Sequence, residues 1–138
     1  MANPLIIDCH MHLYPSQIKA NWAKGDYEVW EYGAKDDVNS CKFAGVVDDG
    51  LAALEEVRAT KAVVVNLFGI DMTRDEAVSQ LPGEISPDER IREIEAIDAT
   101  IGERLKASNE WTSTLTVEHP HLLSFIAADP RALPMQEM

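Results

Sequence analysis

The sequence predicts an α/β fold on a parallel sheet, and two observations carry that prediction. Three short runs are apolar almost throughout, and amphipathic helical patterns separate them. Strands that are apolar at nearly every position suit a sheet covered by helices on both faces, as parallel sheets are. The alternation strand, helix, strand, helix, strand then gives βαβ units with right-handed crossovers.

The first strand is expected over residues 5–9, from Leu5 to Cys9, running into His10, Met11 and His12. A helix follows over 48–59, "DDGLAALEEVRA", with Leu51, Leu54 and Val57 on one face. Asp48 and Asp49 stand at its start, where the helix dipole favours negative charge. The second strand, 61–68, reads "KAVVVNLF", and its three consecutive valines favour extended backbone. A second helix opens on a capping pattern: Ser86, then Pro87 at the first helical position, then Glu89 three residues after the cap. Ile91, Ile94, Ile97, Ile101, Leu105 and Leu115 recur at helical spacing, and Gly102 marks the place for a bend or a break. The helix should stop near Glu118, because Pro120 disfavours helical backbone at His119. The third strand, 122–128, reads "LLSFIAA" and runs into Asp129 and Pro130.

Two connections are long, 13–47 and 69–85, and no helix is expected in either. Both follow the C-terminal end of a strand, the end at which α/β proteins bind ligands. Long loops there usually carry function.

Composition narrows the function classes. At 138 residues the chain is about one domain, and its 46% hydrophobic content can supply a core. Lysine and arginine number 12 against 24 aspartates and glutamates, a formal charge of -12. Nucleic acids and anionic membranes bind clustered positive charge, so neither is expected as a partner. Cys9 and Cys41 make no disulfide framework, which fits a reducing cytoplasmic setting. There is no signal segment at the start, no apolar run of membrane-spanning length, no phosphate-cradling glycine motif and no serine elbow.

The chemistry concentrates at His10 and His12. Strand side chains alternate, so Asp8, His10 and His12 are expected on one face, with Cys9 and Met11 on the other. Two imidazoles one residue apart can reach a single ion from one rigid strand, and imidazole suits zinc, iron, nickel or copper. Asp8 is then a candidate to orient a ligand or line the site. A histidine pair arises readily by chance. The apolar lead-in, Asp8 and the long loop that follows together favour a metal site.

These residues resemble a known family. "IIDCHMHLYP" is similar to the first barrel strand of the amidohydrolase superfamily. More narrowly it resembles the amidohydrolase-related group, which includes aminocarboxymuconate-semialdehyde decarboxylase and the resorcylate decarboxylases. "GLAALEEVRATKAVVVNLF" is similar to that family's first helix and second strand. "SNEWTSTLTVEHPHLLSFIAADPRALP" resembles its asparagine-bearing helix, His-Pro turn and third strand.

The resemblance implies a (β/α)8 TIM barrel with a metal, zinc above all, at the C-terminal face. His10 and His12 match the first two metal ligands. A further histidine, the catalytic histidine and an aspartate are implied on the fifth, sixth and eighth strands, beyond Met138. A barrel of this kind takes about 250 residues. Residues 1–138 are therefore expected to be the N-terminal part of one barrel domain: three parallel strands, two intervening helices and long βα loops. The implied activity is hydrolysis or non-oxidative decarboxylation of a small acidic or aromatic substrate. The uncovered sheet edge of such a fragment also implies association, and a homo-oligomer is expected.

Other residues admit two readings. Asn66 and Asp129 stand at the C-terminal ends of strands two and three, so each could line the site or merely serve a turn. Asn109 matches a recurrent helix asparagine of the family. Tyr14, Trp22, Tyr27, Trp30, Tyr32 and Phe43 crowd the first long loop. They form either a wall for a conjugated acid, with Lys19, Lys24 or Lys35 near its carboxylate, or simple packing. His119 and His121 fall at the opposite end of their strand and are structural. Cys9 is expected to face the helix layer. The alternative from another class is a non-catalytic α/β module that binds a partner or its own copies through an exposed sheet edge.

Overall fold

A computed structural model describes residues 5–33 and 42–129. The elements run β1 (Ile7–Met11), α1 (Gln17–Tyr32), α2 (Val47–Glu56), β2 (Lys61–Val65), α3 (Ile70–Ser79), α4 (Pro87–Glu118) and β3 (Leu122–Phe125). The strands form one parallel sheet in the order β1-β2-β3. The chain is thus α/β, with the expected strands in the expected order. Among the described residues there are four helices where two were expected, because each long connection contains one.

The extra helices are set by their ends and by charge, which is why hydrophobic periodicity does not mark them. On α1, the Ser16 hydroxyl accepts the Lys19 N–H at the start, and Gly33 turns left-handed (φ 80) at the end. That conformation is cheap only for glycine. Between these caps Ala20 is fully buried while Ile18 and Trp22 remain exposed, so no apolar stripe faces a core. On α3 no residue is buried; instead Arg74 makes a forked ion pair with Asp98 of α4, at 2.6 and 3.2 Å.

The expected helices hold. α4 begins at Pro87, with the Ser86 hydroxyl accepting the Glu89 N–H at 3.3 Å, and runs unbroken through Gly102 to Glu118. On α2, Asp49 reaches back to accept the N–H groups of Ala44 and Gly45 at 3.0 and 3.2 Å. That satisfies donors the helix itself cannot pair.

The described residues divide into two compact units, Met1–Val65 with Leu115–Phe125, and Asn66–Thr114 with Ile126–Met138. The first holds the whole sheet. On its covered face Ala62, Val64 and Leu122 are buried, together with Leu13, Leu54 and Leu115. Its other face is open among the described residues: Ile7, Leu123 and Phe125 are 47%, 38% and 62% exposed. This departs from the expected cover on both faces. The apolar residues are present on both sides of the strands, but the described helices cover only one.

In the second unit Ile101, Leu105, Asn109 and Thr112 of α4 are buried. The isoleucine stripe nearer the start of α4 is less covered, with Ile91 at 56% exposure.

The two faces of β3 make a direct comparison. Leu122→Ala should cost about 2–5 kcal/mol of stability, as for a buried leucine. Leu123→Ala should cost under about 1 kcal/mol, since an exposed side chain has little burial to lose. Urea unfolding of both variants measures the difference.

Candidate functional site

The His10–His12 pair lies where β1 ends, and its geometry starts from a slip in the β1–β2 register. Asp8 pairs with Ala62, but Met11 pairs with Val64, so three residues of β1 advance against two of β2. An extra residue of this kind bends a strand and leaves one backbone group out of the ladder. The Asp8 carboxylate accepts the His10 backbone N–H at 3.0 Å.

The slip corrects two expectations. Asp8 and Met11 both stand opposite the buried positions of β2, so Asp8 does not continue the row of His10 and His12. Cys9, expected against the helices, is exposed. Beyond the slip, alternation resumes: Met11 and Leu13 face Gly50 of α2, where a Cβ would lie 3.2 Å from the Met11 sulfur and 2.7 Å from a Leu13 methyl. His10 and His12 turn the other way.

Their rings meet edge to face, with centroids 4.7 Å apart. The two Nε2 atoms are 3.0 Å apart, and His12 Nδ1 lies 2.9 Å from the Val65 carbonyl oxygen. A carbonyl only accepts, so Nδ1 of His12 carries the proton and a neutral His12 presents a bare Nε2. His10 completes the observed contact by donating its own Nε2–H. With the His10 proton on Nδ1 instead, two lone pairs converge on one point. Two imidazole nitrogens at about 2.1 Å from a shared ion lie about 3.0 Å apart for a right-angle arrangement and about 3.4 Å for a tetrahedral one. The pair therefore fits a shared metal with an adjustment of a few tenths of an ångström. Among the described residues no group of three or more His, Cys, Asp and Glu side chains assembles around it.

The chain after the pair is held firmly. Tyr14 donates its N–H to the Gly45 carbonyl at 2.8 Å and forms a parallel bridge with Val46. Gly45 has φ 103, and a Cβ there would press on the Tyr14 ring at 3.3 Å. A side chain is excluded on both counts. Burial pushes the Tyr14 phenol above its ordinary pKa, so it stays neutral and able to donate. Trp22 is 70% exposed on α1. The backbone of Trp30 lies in α1 as well, but its side chain is outside the described set, as are Lys35 and Cys41.

Asn66 and Asp129 belong to the second unit. Asn66 is fully engaged: its amide donates to Asn109 Oδ1 at 2.7 Å, and its oxygen accepts from Ser108 at 3.0 Å. Asn109 in turn grips the Ala127 backbone, accepting its N–H at 2.9 Å and donating to its carbonyl at 2.8 Å. This replaces a missing strand neighbour for the backbone just beyond β3, two residues before the half-buried Asp129. His121 sits at the other end of β3, with Nδ1 3.2 Å from the Thr60 carbonyl oxygen, a structural place as expected.

Two supports of the site escape sequence reasoning. The Val65 carbonyl is a backbone group whose role depends on register alone. Asp49 could be found from its place three residues after Val46, at the third position of α2. No family model, no curated protein and no solved structure matches the chain.

Two measurements check this geometry. Long-range 1H–15N spectra of the neutral protein should show the proton of His12 on Nδ1. Asn109→Ala should cost about 1–3 kcal/mol in chemical denaturation, since it strands buried polar groups on Asn66 and Ala127.

Proposed function

We propose that the chain is the N-terminal part of a metal-dependent enzyme of the amidohydrolase-related kind, a partial (β/α)8 barrel. It would act on a small organic acid, aromatic or conjugated, by hydrolysis or non-oxidative decarboxylation in a cytoplasmic setting. His10 and His12 are two of its metal ligands, with zinc as the metal. The observation that carries this reading is the fixed tautomer: a backbone carbonyl holds His12 Nδ1–H and aims its bare Nε2 at His10. Backbone carbonyls commonly orient metal-bound histidines in this way.

Two further features support it. The strands pair in parallel and in sequence order, as the opening strands of a barrel do. The exposed apolar face carrying Ile7, Leu123 and Phe125 is the side that a closed barrel would turn inward.

A divalent ion held by His10 and His12 would supply Lewis-acid polarisation of a substrate carboxylate or carbonyl. The residues present do the remaining early work. Val65 fixes the orientation of His12, and Tyr14 offers a neutral hydroxyl beside the strand end. In the family that the chain resembles the groups that move protons come from later strands, so no residue of this chain is assigned that role.

One observation favours a second reading, a non-catalytic module that self-associates through its sheet edge. Among the described residues β1 and β3 each have a single strand neighbour, and open edges invite pairing.

Metal titration separates the two. Calorimetry with Zn²⁺ should show one equivalent bound by the wild type, and an affinity at least tenfold weaker for the variant carrying His10→Ala and His12→Ala. Equal uptake by both proteins sinks the metal reading.

A further inference from the structure

The second unit carries a surface unrelated to the histidines. α3 and α4 enclose an open cleft of about 230 Å³. Thr73 and Ala77 contribute from α3, both small, so the groove stays shallow-walled on that side. The α4 wall is one stripe at helical spacing: Glu93, Ala96, Ile97, Thr100, Ile101 and Arg104. These positions repeat at three and four residues over three turns, a length of about 16 Å. The hydroxyls of Thr73 and Thr100 are already spent on the carbonyls of Gly69 and Ala96, at 2.8 and 2.9 Å. The centre of the groove is therefore apolar in character, with an acid at one end and a guanidinium at the other.

Neither end has an ionic partner among the described residues. Arg104 rests over the Phe68 ring at 5.8 Å, and Glu93 makes no ion pair. The stripe is also complementary to itself. Laid antiparallel against its own copy, it sets Glu93 against Arg104 and Ile97 against Thr100, while the buried Ile101 forms the floor beneath Ala96 of the copy. Each carboxylate meets a guanidinium across the pair. Contact of this kind along three turns is what near-antiparallel helix packing requires.

We infer that this groove is a homodimer interface, in which α4 of a second copy packs antiparallel across α4 about a two-fold axis. The isologous symmetry gives two Glu93–Arg104 pairs, one on each side of the axis. α3 and α4 of both copies then form a four-helix cluster, and the small residues of α3 make room for the partner helix. With a formal charge of -12 on each chain, two copies repel in general. The crossed ion pairs are what select this one orientation, since complementary charge sets register more than strength.

Charge reversal tests the arrangement by sedimentation equilibrium on the full chain. Wild type should dimerise. Glu93→Arg alone and Arg104→Glu alone should each raise the dissociation constant about tenfold or more, because every crossed pair becomes a like-charge pair. Mixing the two single variants should restore a dimer, now a heterodimer, and so should combining both changes in one chain. Ala96→Glu, at an exposed position, should dissociate the dimer without altering the helical circular dichroism. A monomeric wild type overturns the proposal, as does a dimer indifferent to all three single changes. Failure of the mixed variants to recover, with helical content intact, overturns it too.

Discussion

The slip between β1 and β2 is the constraint on which the histidine site depends. β2 advances from Ala62 to Val64 while β1 advances from Asp8 to Met11. Without the extra residue, side-chain alternation would carry on from Asp8 and place His10 and His12 on the covered face with Ala62 and Val64. There they would replace Met11 and Leu13 against α2, burying two imidazoles in a layer with little to satisfy them. The slip reverses that outcome. Apolar Met11 and Leu13 enter the layer, and the imidazoles turn outward. Its cost is an N–H outside the ladder, and Asp8 meets that cost by accepting it.

The same register supplies the acceptor for His12. The Val65 carbonyl comes from the last residue of β2, so the ring is oriented by the end of a neighbouring strand rather than by a side chain. Replacing the Val65 side chain would leave this contact in place, whereas a shift of β2 along β1 would remove it. Among the described residues His10 has no comparable anchor; its ring contact is His12 itself. The pair thus consists of one fixed imidazole and one adjustable imidazole. If the pair holds an ion, as proposed above, it would give up less freedom on binding than two loose side chains, yet could still relax toward the geometry the ion prefers.

Much of this was legible in the sequence, and the parts that were not share a cause. The three strands and α4 announce themselves through local chemistry: consecutive valines at 63–65, the Ser86–Pro87–Glu89 cap, and Pro120 after the helix end. α1 and α3 do not, because several of their large apolar residues face outward. Ile18, Trp22 and Met72 are 83%, 70% and 77% exposed, so periodicity has no core face to report. The histidine pair was legible as a pair, but its side of the sheet was not. Alternation from Asp8 predicts one common face for three residues, and only pairing with β2 shows that the count breaks. Cys9 was misplaced for the same reason. Register is a relation between two strands, and no single run of residues encodes it.

Asn66, which the sequence left open between lining a site and serving a turn, is bonded to Asn109 and Ser108, and Asn109 to the Ala127 backbone. Asn109 is only 8% exposed, and its amide supplies the donor and the acceptor that an adjacent strand would have given Ala127. An amide side chain carries a carbonyl acceptor and an NH2 donor side by side, so it can do both at once. Such a clamp pairs the Ala127 backbone just beyond β3, where no further strand lies beside it among the described residues. The histidine pair uses the same device in reverse, with a backbone carbonyl fixing a side chain. In each case the fold satisfies a strand end with a group from a neighbouring element. His12, Asn66 and Asn109 are thus each held in place by the architecture itself.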